Sequence, residues 1–321
     1  MKRREFLLFV GAAAGWPLTA RAKPIPRVGY IEGSRNTPWI SDFLSALADM
    51  GYVDGKNIIF LKRKFAAPTA QAMKDVISEI EPDIDLLVVG GTVGGVAAKS
   101  AAAHIPVVFV SVGAPVDIGL VESLAHPGGN MTGTTFEATS ETYAKRLQIL
   151  KEIVPGLSRV AALGAIDDPN FPFAMRSLIQ SAPNLHVSIT PIGFGSAEGL
   201  GSAFKEMKTA HSEGLIVVSG SLTYSNNTAI AALALAQGLP SCHGFKEAVA
   251  EGGLISLGPD LGMMARQSAR LVDKILKGAR AGDLPVEQPN RYVISVNLKT
   301  AKALGLSLPA SIIAAAEEVI E

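Results

Sequence analysis

Short apolar segments alternate with amphipathic ones along most of this chain, and this alternation restricts its fold more than any other feature. In the first half the predicted strands are 27–33 (RVGYIEG), 57–65, 85–89 (DLLVV) and 106–111 (PVVFVS), and the predicted helices are 38–50, 69–80 and 92–103. Each strand–helix–strand unit is long enough for a crossover between parallel strands. The first half therefore predicts a parallel sheet covered by helices.

The same alternation restarts after the loop 127–130 (PGGN). The predicted helices of this half are 140–153, 172–180, 197–209, 226–237 and 245–250, and the predicted strands are 159–165, 185–192, 214–219 and 253–257. The fold class we expect is therefore α/β, with two doubly wound parallel-sheet lobes. The C-terminal quarter predicts a helix over 261–277, an irregular stretch over 284–289, a strand over 292–296 and short helices over 300–303 and 309–318.

Residues 1–22 have the pattern of an export signal. Three basic residues at 2–4 precede an apolar stretch over 6–14, and 20–22 (ARA) has the small residues of a cleavage site. The paired arginines resemble the twin-arginine signal of bacteria, which exports proteins already folded. The stretch of nine residues is far shorter than the roughly 20 of a membrane-spanning helix, which disfavours a membrane anchor. We expect an exported, soluble periplasmic protein that begins near Lys23.

The charge composition argues against nucleic acid as a partner. Removal of residues 1–22 takes away four of the 29 basic and one of the 29 acidic residues, which leaves 25 against 28 and a net charge of −3. Such a chain has no electrostatic attraction for nucleic acid or for an anionic membrane surface.

Few residues are suited to catalysis or to metal binding. The five histidines are scattered and form no H-E-x-x-H pattern, and no G-x-S-x-G segment is present to position a nucleophilic serine. Cys242 is the single cysteine, so the chain can form no intrachain disulfide and lacks the two facing thiols of a cofactor-independent racemase. We expect no enzymatic activity, no cofactor and no metal.

Several longer motifs resemble those of a known family. They are 51–57 (GYVDGKN), 119–124 (GLVESL) running into 127–133 (PGGNMTG), 274–278 (KILKG) with 284–289 (LPVEQP), 297–301 (NLKTA) and 317–320 (EEVI). Together and in this order they are similar to the ABC-transporter substrate-binding family that includes tryptophan and tyrosine binders. The resemblance covers nearly the whole chain after residue 22, and it identifies the scaffold better than the ligand.

The resemblance implies a type I periplasmic binding protein, in which two lobes joined by three crossing strands close on a small molecule. It places 23–135 and 259–289 in the first lobe, and 136–258 and 290–321 in the second. It also implies ABC permease subunits of the inner membrane as partners and a monomeric receptor.

Glycine-rich strand ends are the first candidates for a binding site, because ligands of parallel sheets lie beyond the carboxyl ends of the strands. Residues 90–95 (GGTVGG) follow a predicted strand and open a helix, so Gly91, Thr92 and Val93 could hold a carboxylate on free backbone N–H groups. A tight turn without any ligand is the alternative. No G-x-G-x-x-G pattern is present there, which disfavours a nucleotide.

Polar and aromatic residues at the other strand ends complete the predicted pocket. In the first lobe they are Glu32, Ser34, Trp39, Ser111, Val112 and Gly113, and Phe136 follows the crossing between the lobes. In the second lobe they are Asp167, Asn170, Phe171, Ser219, Ser221, Tyr224, Gly244 and Phe245. We expect Asp167 to meet the ammonium of an amino acid, with Glu32 as second choice. Asp167 could instead cap a helix, and Trp39 could simply pack on the lobe surface.

The function expected is capture of a small amino-acid-like solute, aromatic or branched and apolar, by a periplasmic receptor of an ABC importer. The alternative is an interaction protein that presents the same fold to a sensor kinase or chemoreceptor. The residues do not identify the solute.

Overall fold

The computed structural model describes residues 24–32, 38–65, 69–137 and 139–321. The predicted export signal and Ser34 lie outside these residues. The strands are β1 (Arg27–Glu32), β2 (Ile59–Lys64), β3 (Leu86–Gly90), β4 (Val107–Gly113), β5 (Met131–Glu137), β6 (Arg159–Ala165), β7 (Ser188–Phe194), β8 (Gly214–Val217), β9 (Ser241–His243), β10 (Ile255–Gly258), β11 (Val293–Asn297) and β12 (Ala316–Ile320).

The helices lie between these strands. They are α1 (Pro38–Asp49), α2 (Ala70–Ile80), α3 (Gly91–Ala101), α4 (Glu141–Ile153), α5 (Asn170–Ser181), α6 (Leu200–Thr209), α7 (Ser221–Ser225), α8 (Asn227–Ala236), α9 (Lys246–Ala250), α10 (Leu261–Leu276), α11 (Leu298–Ala303) and α12 (Ala310–Ala315). Short 3₁₀ turns cover Glu81–Asp83, Ala182–Leu185, Ala197–Gly199 and Ala281–Asp283.

The first lobe is built on a five-stranded parallel sheet with the order β2-β1-β3-β4-β5. Its central strands are continuous apolar runs because both faces of the sheet are covered. Helices α1 and α10 bury one face, in a core that contains Phe43 and Leu271, while α2 and α3 bury the other with Ile77 and Ala97. Helix α10 comes from the C-terminal part of the chain, so the first lobe is not continuous in sequence.

The second lobe has a seven-stranded sheet with the order β12-β11-β10-β9-β8-β6-β7. Pairing is parallel except between β10 and β11, which run antiparallel in the described part of this sheet. Helices α4 and α5 cover one face with Leu147 and Leu178, and α6 and α8 cover the other with Phe204 and Ile230. These two α/β lobes confirm the predicted fold class.

Three segments cross between the lobes and meet side by side. They are the connection from β5 to α4, the connection from β10 to α10, and the stretch between α10 and β11. Thr135 N donates to Glu287 O at 3.0 Å, and Tyr292 Oη donates to Phe136 O at 3.0 Å. These bonds tie the third crossing to the first. The lobe boundaries expected from the family resemblance stay a prediction.

The structure differs from the sequence pattern in several places. Strands β5 and β9 are not predicted by the pattern. The helix expected over 309–318 ends at Ala315, because 316–320 instead pairs with β11 at the edge of the second sheet. Residues 221–225 (SLTYS) form a short helix, α7, that the pattern does not predict. Among the described residues, none of the helices has the length and apolar character needed to cross a membrane.

Candidate ligand-binding cleft

The main cavity of the described structure lies between the two lobes, at the carboxyl ends of both sheets. It contains about 680 Å³ of empty space counted out to its open mouth. First-lobe residues that line it are Ile31, Trp39, Phe65, Gly90, Gly91, Thr92, Val110, Ser111, Phe136 and Leu261, and second-lobe residues are Gly220, Ser221, Tyr224, Ser225 and Phe245.

Five aromatic rings surround this cleft. Phe136 and Phe245 come from opposite lobes and meet edge to face, with ring centroids 5.6 Å apart. Tyr224 packs in the same way on Phe245, at 6.0 Å. Trp39 enters from α1 and lies over Gly90, where a side-chain Cβ would come within 2.7 Å of the indole. Phe65, directly after β2, completes a wall suited to a flat apolar group.

Polar groups of the cleft lie at the strand ends. Gly91 is the first residue of α3 and has φ +76°, a left-handed conformation that glycine adopts without strain. The backbone N–H groups of a first helical turn have no partner within the helix and face anions favourably. Ser111 also has a left-handed φ, +59°, which is unusual for a residue with a side chain and is typical of functional sites.

The lobes touch each other across the cleft. A Cβ built on Gly91 of the first lobe would collide with Oγ of Ser221 in the second. A Cβ on Gly113 would lie 2.5 Å from Oδ1 of Asn170, again across the lobes. The chain therefore has closely apposed lobes, and glycines at two of the contact points permit that approach.

The two aspartates that follow β6 have opposite environments. Asp167 is exposed, whereas Asp168 is buried, with 4% of its surface accessible. Oδ1 of Asp168 accepts from Asn170 N at 2.9 Å, and Oδ2 has no hydrogen-bond partner. Burial raises the pKa of Asp168 to about 6, and the bond from Asn170 opposes the shift. Gly220, a lining residue, lies so close that a Cβ on it would be 2.6 Å from Oδ2.

A fully buried ion pair lies behind the cleft and joins the crossing segments. Nη1 of Arg146 on α4 is 3.5 Å from Oε2 of Glu137 at the end of β5, and its Nε donates to Leu257 O at 2.8 Å. Burial raises the pKa of Glu137 to about 7, against the opposing effect of Arg146. The guanidinium also stacks 4.8 Å from the Tyr143 ring centroid. Arg146 thus connects β5, α4 and β10.

The structure brings eight of the residues predicted from the sequence into the cleft lining. They are Trp39, Gly91, Thr92, Ser111, Phe136, Ser221, Tyr224 and Phe245. Gly113, Asn170, Ser219 and Gly244 lie directly behind the lining and contact one another or the buried pair. Contact of any of these residues with a ligand stays a prediction.

The remaining predicted residues lie elsewhere. Val93 and Val112 point into the core of the first lobe, and Phe171 packs on Gly164 and the core of the second. Asp167 is on the surface, as described above. Glu32 ends β1, and nothing is described of its side chain.

Sequence reasoning missed several lining residues. Gly90 ends β3, and Gly220 lies between β8 and α7. Both are next to residues predicted from the sequence, so including the immediate neighbours of those residues would have found them. Phe65 and Leu261 carry no such signal, because Leu261 reaches the cleft only through the packing of α10 on the first lobe. Asp168 precedes a proline and a helix, a pattern that fits a cap as well as a site.

Buried titratable groups near the cleft do not form a metal centre. The described residues contain no group of three His, Cys, Asp or Glu side chains placed to hold a metal ion. Burial lowers the pKa of His243 to about 4, so its ring is neutral, and burial raises the pKa of the Cys242 thiol to about 12. Both residues are fully enclosed in the second lobe.

Two α/β lobes around an aromatic interlobe cleft define the class of a bilobal solute-binding protein. The family model for ABC transporter substrate binding proteins matches residues 30–320, nearly the whole chain. This chain belongs to that family.

Known relatives share both sequence and fold. A tyrosine-binding protein of Clostridioides difficile (strain R20291) is 26% identical over 266 residues, which cover 82% of this chain and 75% of the relative. A conserved domain protein from Vibrio cholerae has a TM-score of 0.85 at 23% identity, with 92% and 99% of the two chains covered. An ABC domain from Streptococcus pneumonia in complex with L-Trp has a TM-score of 0.81 at 21% identity, with 91% and 100% covered.

Proposed function

We propose that this protein is the periplasmic receptor of an ABC importer, and that it captures an amino acid with an aromatic or branched apolar side chain between its lobes. The observation that carries the proposal is the ring-lined cleft, in which Trp39, Phe65 and Phe245 share the lining with polar residues of the strand ends. The relatives that bind tyrosine and L-Trp support the same ligand class. The export pattern of residues 1–22 supports the location.

The first lobe is suited to hold the ligand's carboxylate. The start of α3 and Ser111 both line the cleft, and we expect the backbone N–H groups there and the Ser111 hydroxyl to hold that carboxylate. Ser221 approaches the same point from the second lobe. A charge-assisted hydrogen bond is about twice as strong as a neutral one, so this end sets the ligand's orientation.

The aromatic wall supplies most of the affinity. Full burial of a phenylalanine-sized or leucine-sized side chain contributes about 1.5–3 kcal/mol. Aromatic contacts in edge-to-face geometry add about 0.5–1.5 kcal/mol per pair. None of the lining residues that the structure describes carries a charged side chain, which favours an apolar group at this end of the ligand.

Tryptophan fluorescence offers a direct test. The chain has two tryptophans, Trp16 in the predicted signal and Trp39 in the cleft, so the exported protein carries a single reporter at the site. Titration with L-phenylalanine, L-tyrosine and L-leucine should change the emission of Trp39 and raise the melting temperature by mass action. A sugar such as D-ribose is the negative control. A response to sugars alone would overturn the proposed ligand class.

The importer role has its own test. Deletion of the gene should abolish uptake of the radiolabelled amino acid that gives the strongest fluorescence response, and expression of the full chain should restore it. Normal uptake in the deletion strain, together with a lost growth or motility response to that amino acid, would favour a sensing role instead.

A further inference from the structure

Three buried oxygen atoms of the second lobe, directly behind the cleft lining, have no hydrogen-bond partner among the described residues. They are Oδ2 of Asp168, Oδ1 of Asn170 and Oγ of Ser219, which we call the acceptor cluster. All three residues are at least 95% buried. Asp168 Oδ1 accepts from Asn170 N at 2.9 Å, and Asn170 Nδ2 donates to Ser219 O at 3.0 Å. The cluster is therefore one connected unit formed at the ends of β6 and β8.

The hydrogen bonds of Asn170 determine what its free atom can do. Nδ2 donates to Tyr143 Oη at 3.1 Å as well as to Ser219 O, so both amide hydrogens are used. The remaining atom, Oδ1, can only accept. Oδ1 and the ring of Phe136, a lining residue, both lie against Gly113. A Cβ built on Gly113 would be 2.5 Å from Oδ1 and 2.7 Å from the ring.

The carboxylate of the cluster also borders the cleft. Oδ2 of Asp168 lies against Gly220, a lining residue. The carboxylate fits there only because Gly220 has no side chain. Among the described residues no basic side chain forms an ion pair with Asp168, and the nearby cation, Arg146, is paired with Glu137. A buried carboxylate without a partner is unfavourable unless a cation or a donor meets it.

We propose that the acceptor cluster is the subsite for the α-ammonium group of the ligand, with Asp168 as its counter-ion. This inference rests on the proposed function and assigns the residue that separates amino acids from aromatic or branched carboxylates without an amino group. An ammonium brings donors and no acceptor, so it pairs with acceptors such as the Asp168 carboxylate and the Asn170 carbonyl oxygen. A ligand without that group leaves Asp168 unpaired.

Calorimetric titration with two matched ligand pairs tests the assignment. The pairs are L-phenylalanine with 3-phenylpropanoate, and L-leucine with 4-methylpentanoate, whose members differ only in the ammonium group. The wild-type protein should bind the amino acid of at least one pair at least tenfold more tightly. Asp168→Asn should reduce that ratio to less than threefold by weakening the amino acid alone. Asp167→Asn, the same change one residue earlier on the surface, should leave the ratio unchanged.

Gly220→Ala provides a second route if Asp168→Asn does not fold. Its φ of −177° suits any residue, so the added methyl displaces the Asp168 carboxylate without straining the backbone. The ratio should again fall. Equal affinity for both members of a pair in the wild type, or an undiminished ratio in the variants, would overturn the subsite but not the function. A wild-type protein that binds no member of either pair would overturn both.

Discussion

Gly91 should control closure of the lobes, and the size of the effect can be worked out. Alanine at this position would be held at φ +76°, which costs about 1 kcal/mol whether the lobes are open or closed. Its Cβ would also collide with Oγ of Ser221, but only when the lobes are closed. Relief by an off-rotamer serine costs about 0.5–1.5 kcal/mol. Gly91→Ala should therefore weaken ligand binding about 2- to 12-fold.

Two controls separate the collision from the strain. Gly119→Ala has the same left-handed strain in the same lobe, at φ +67°, with no atom within 4 Å of the new Cβ. It should lower the melting temperature by about 2–4 °C and leave the dissociation constant unchanged. Ser221→Gly removes the colliding atom. Adding it to Gly91→Ala should restore the affinity of the Ser221→Gly single variant.

Fluorescence titration of Trp39 measures the dissociation constants, and small-angle scattering with and without ligand measures closure. The radius of gyration of Gly91→Ala should fall less on ligand addition than that of the wild type. The reasoning is refuted if Gly91→Ala binds as tightly as Gly119→Ala, because the predicted collision would then have no effect on affinity.

Three other predictions concern the buried pair, a buried histidine and the cleft wall. Arg146→Met leaves Glu137 buried without its cation and should lower the free energy of unfolding by about 3–5 kcal/mol in urea melts, most of which the double variant with Glu137→Gln should recover. No recovery would mean that the two side chains are independent. His243 has a pKa of about 4 in the folded protein and 6.5 when unfolded, so the unfolded state binds more protons as pH falls between these values. The contribution of His243 to the free energy of unfolding is fully present above pH 6.5 and is lost as pH falls to 4. At about 1.4 kcal/mol per pKa unit this loss amounts to up to about 3 kcal/mol, and His243→Gln should not show it. Identical pH profiles for the two proteins would contradict a neutral buried imidazole. Phe65→Ala should weaken binding of L-phenylalanine about tenfold through lost apolar contact. Phe60→Ala, in β2 just before Phe65 but outside the cleft lining, should not change the affinity in the same titration.

Local sequence patterns gave most of the architecture correctly. The apolar run of β3 is buried on both faces, and such a run between two amphipathic segments has few other stable arrangements. Gly90 and Gly91 end that strand and open α3, as their pattern predicts, because this sharp change of direction needs a left-handed residue. These features depend on neighbours within one turn or one strand, so the order of residues is enough to specify them.

Long-range packing decided the details that the sequence left open. Asp167 and Asp168 are identical side chains in adjacent positions, and only the turn after β6, packed against Gly220, exposes one and buries the other. Residues 316–320 form a strand because the free edge of β11 supplies backbone partners that a local helical pattern cannot anticipate. Leu261 lines the cleft because α10 packs on a lobe more than 100 residues earlier in the chain. The sequence by itself therefore determined the two lobes and the strand ends where a ligand can bind, since these follow from local hydrophobic periodicity. The tertiary structure alone decided which side chains line the cleft, since this depends on contacts between segments far apart in the chain.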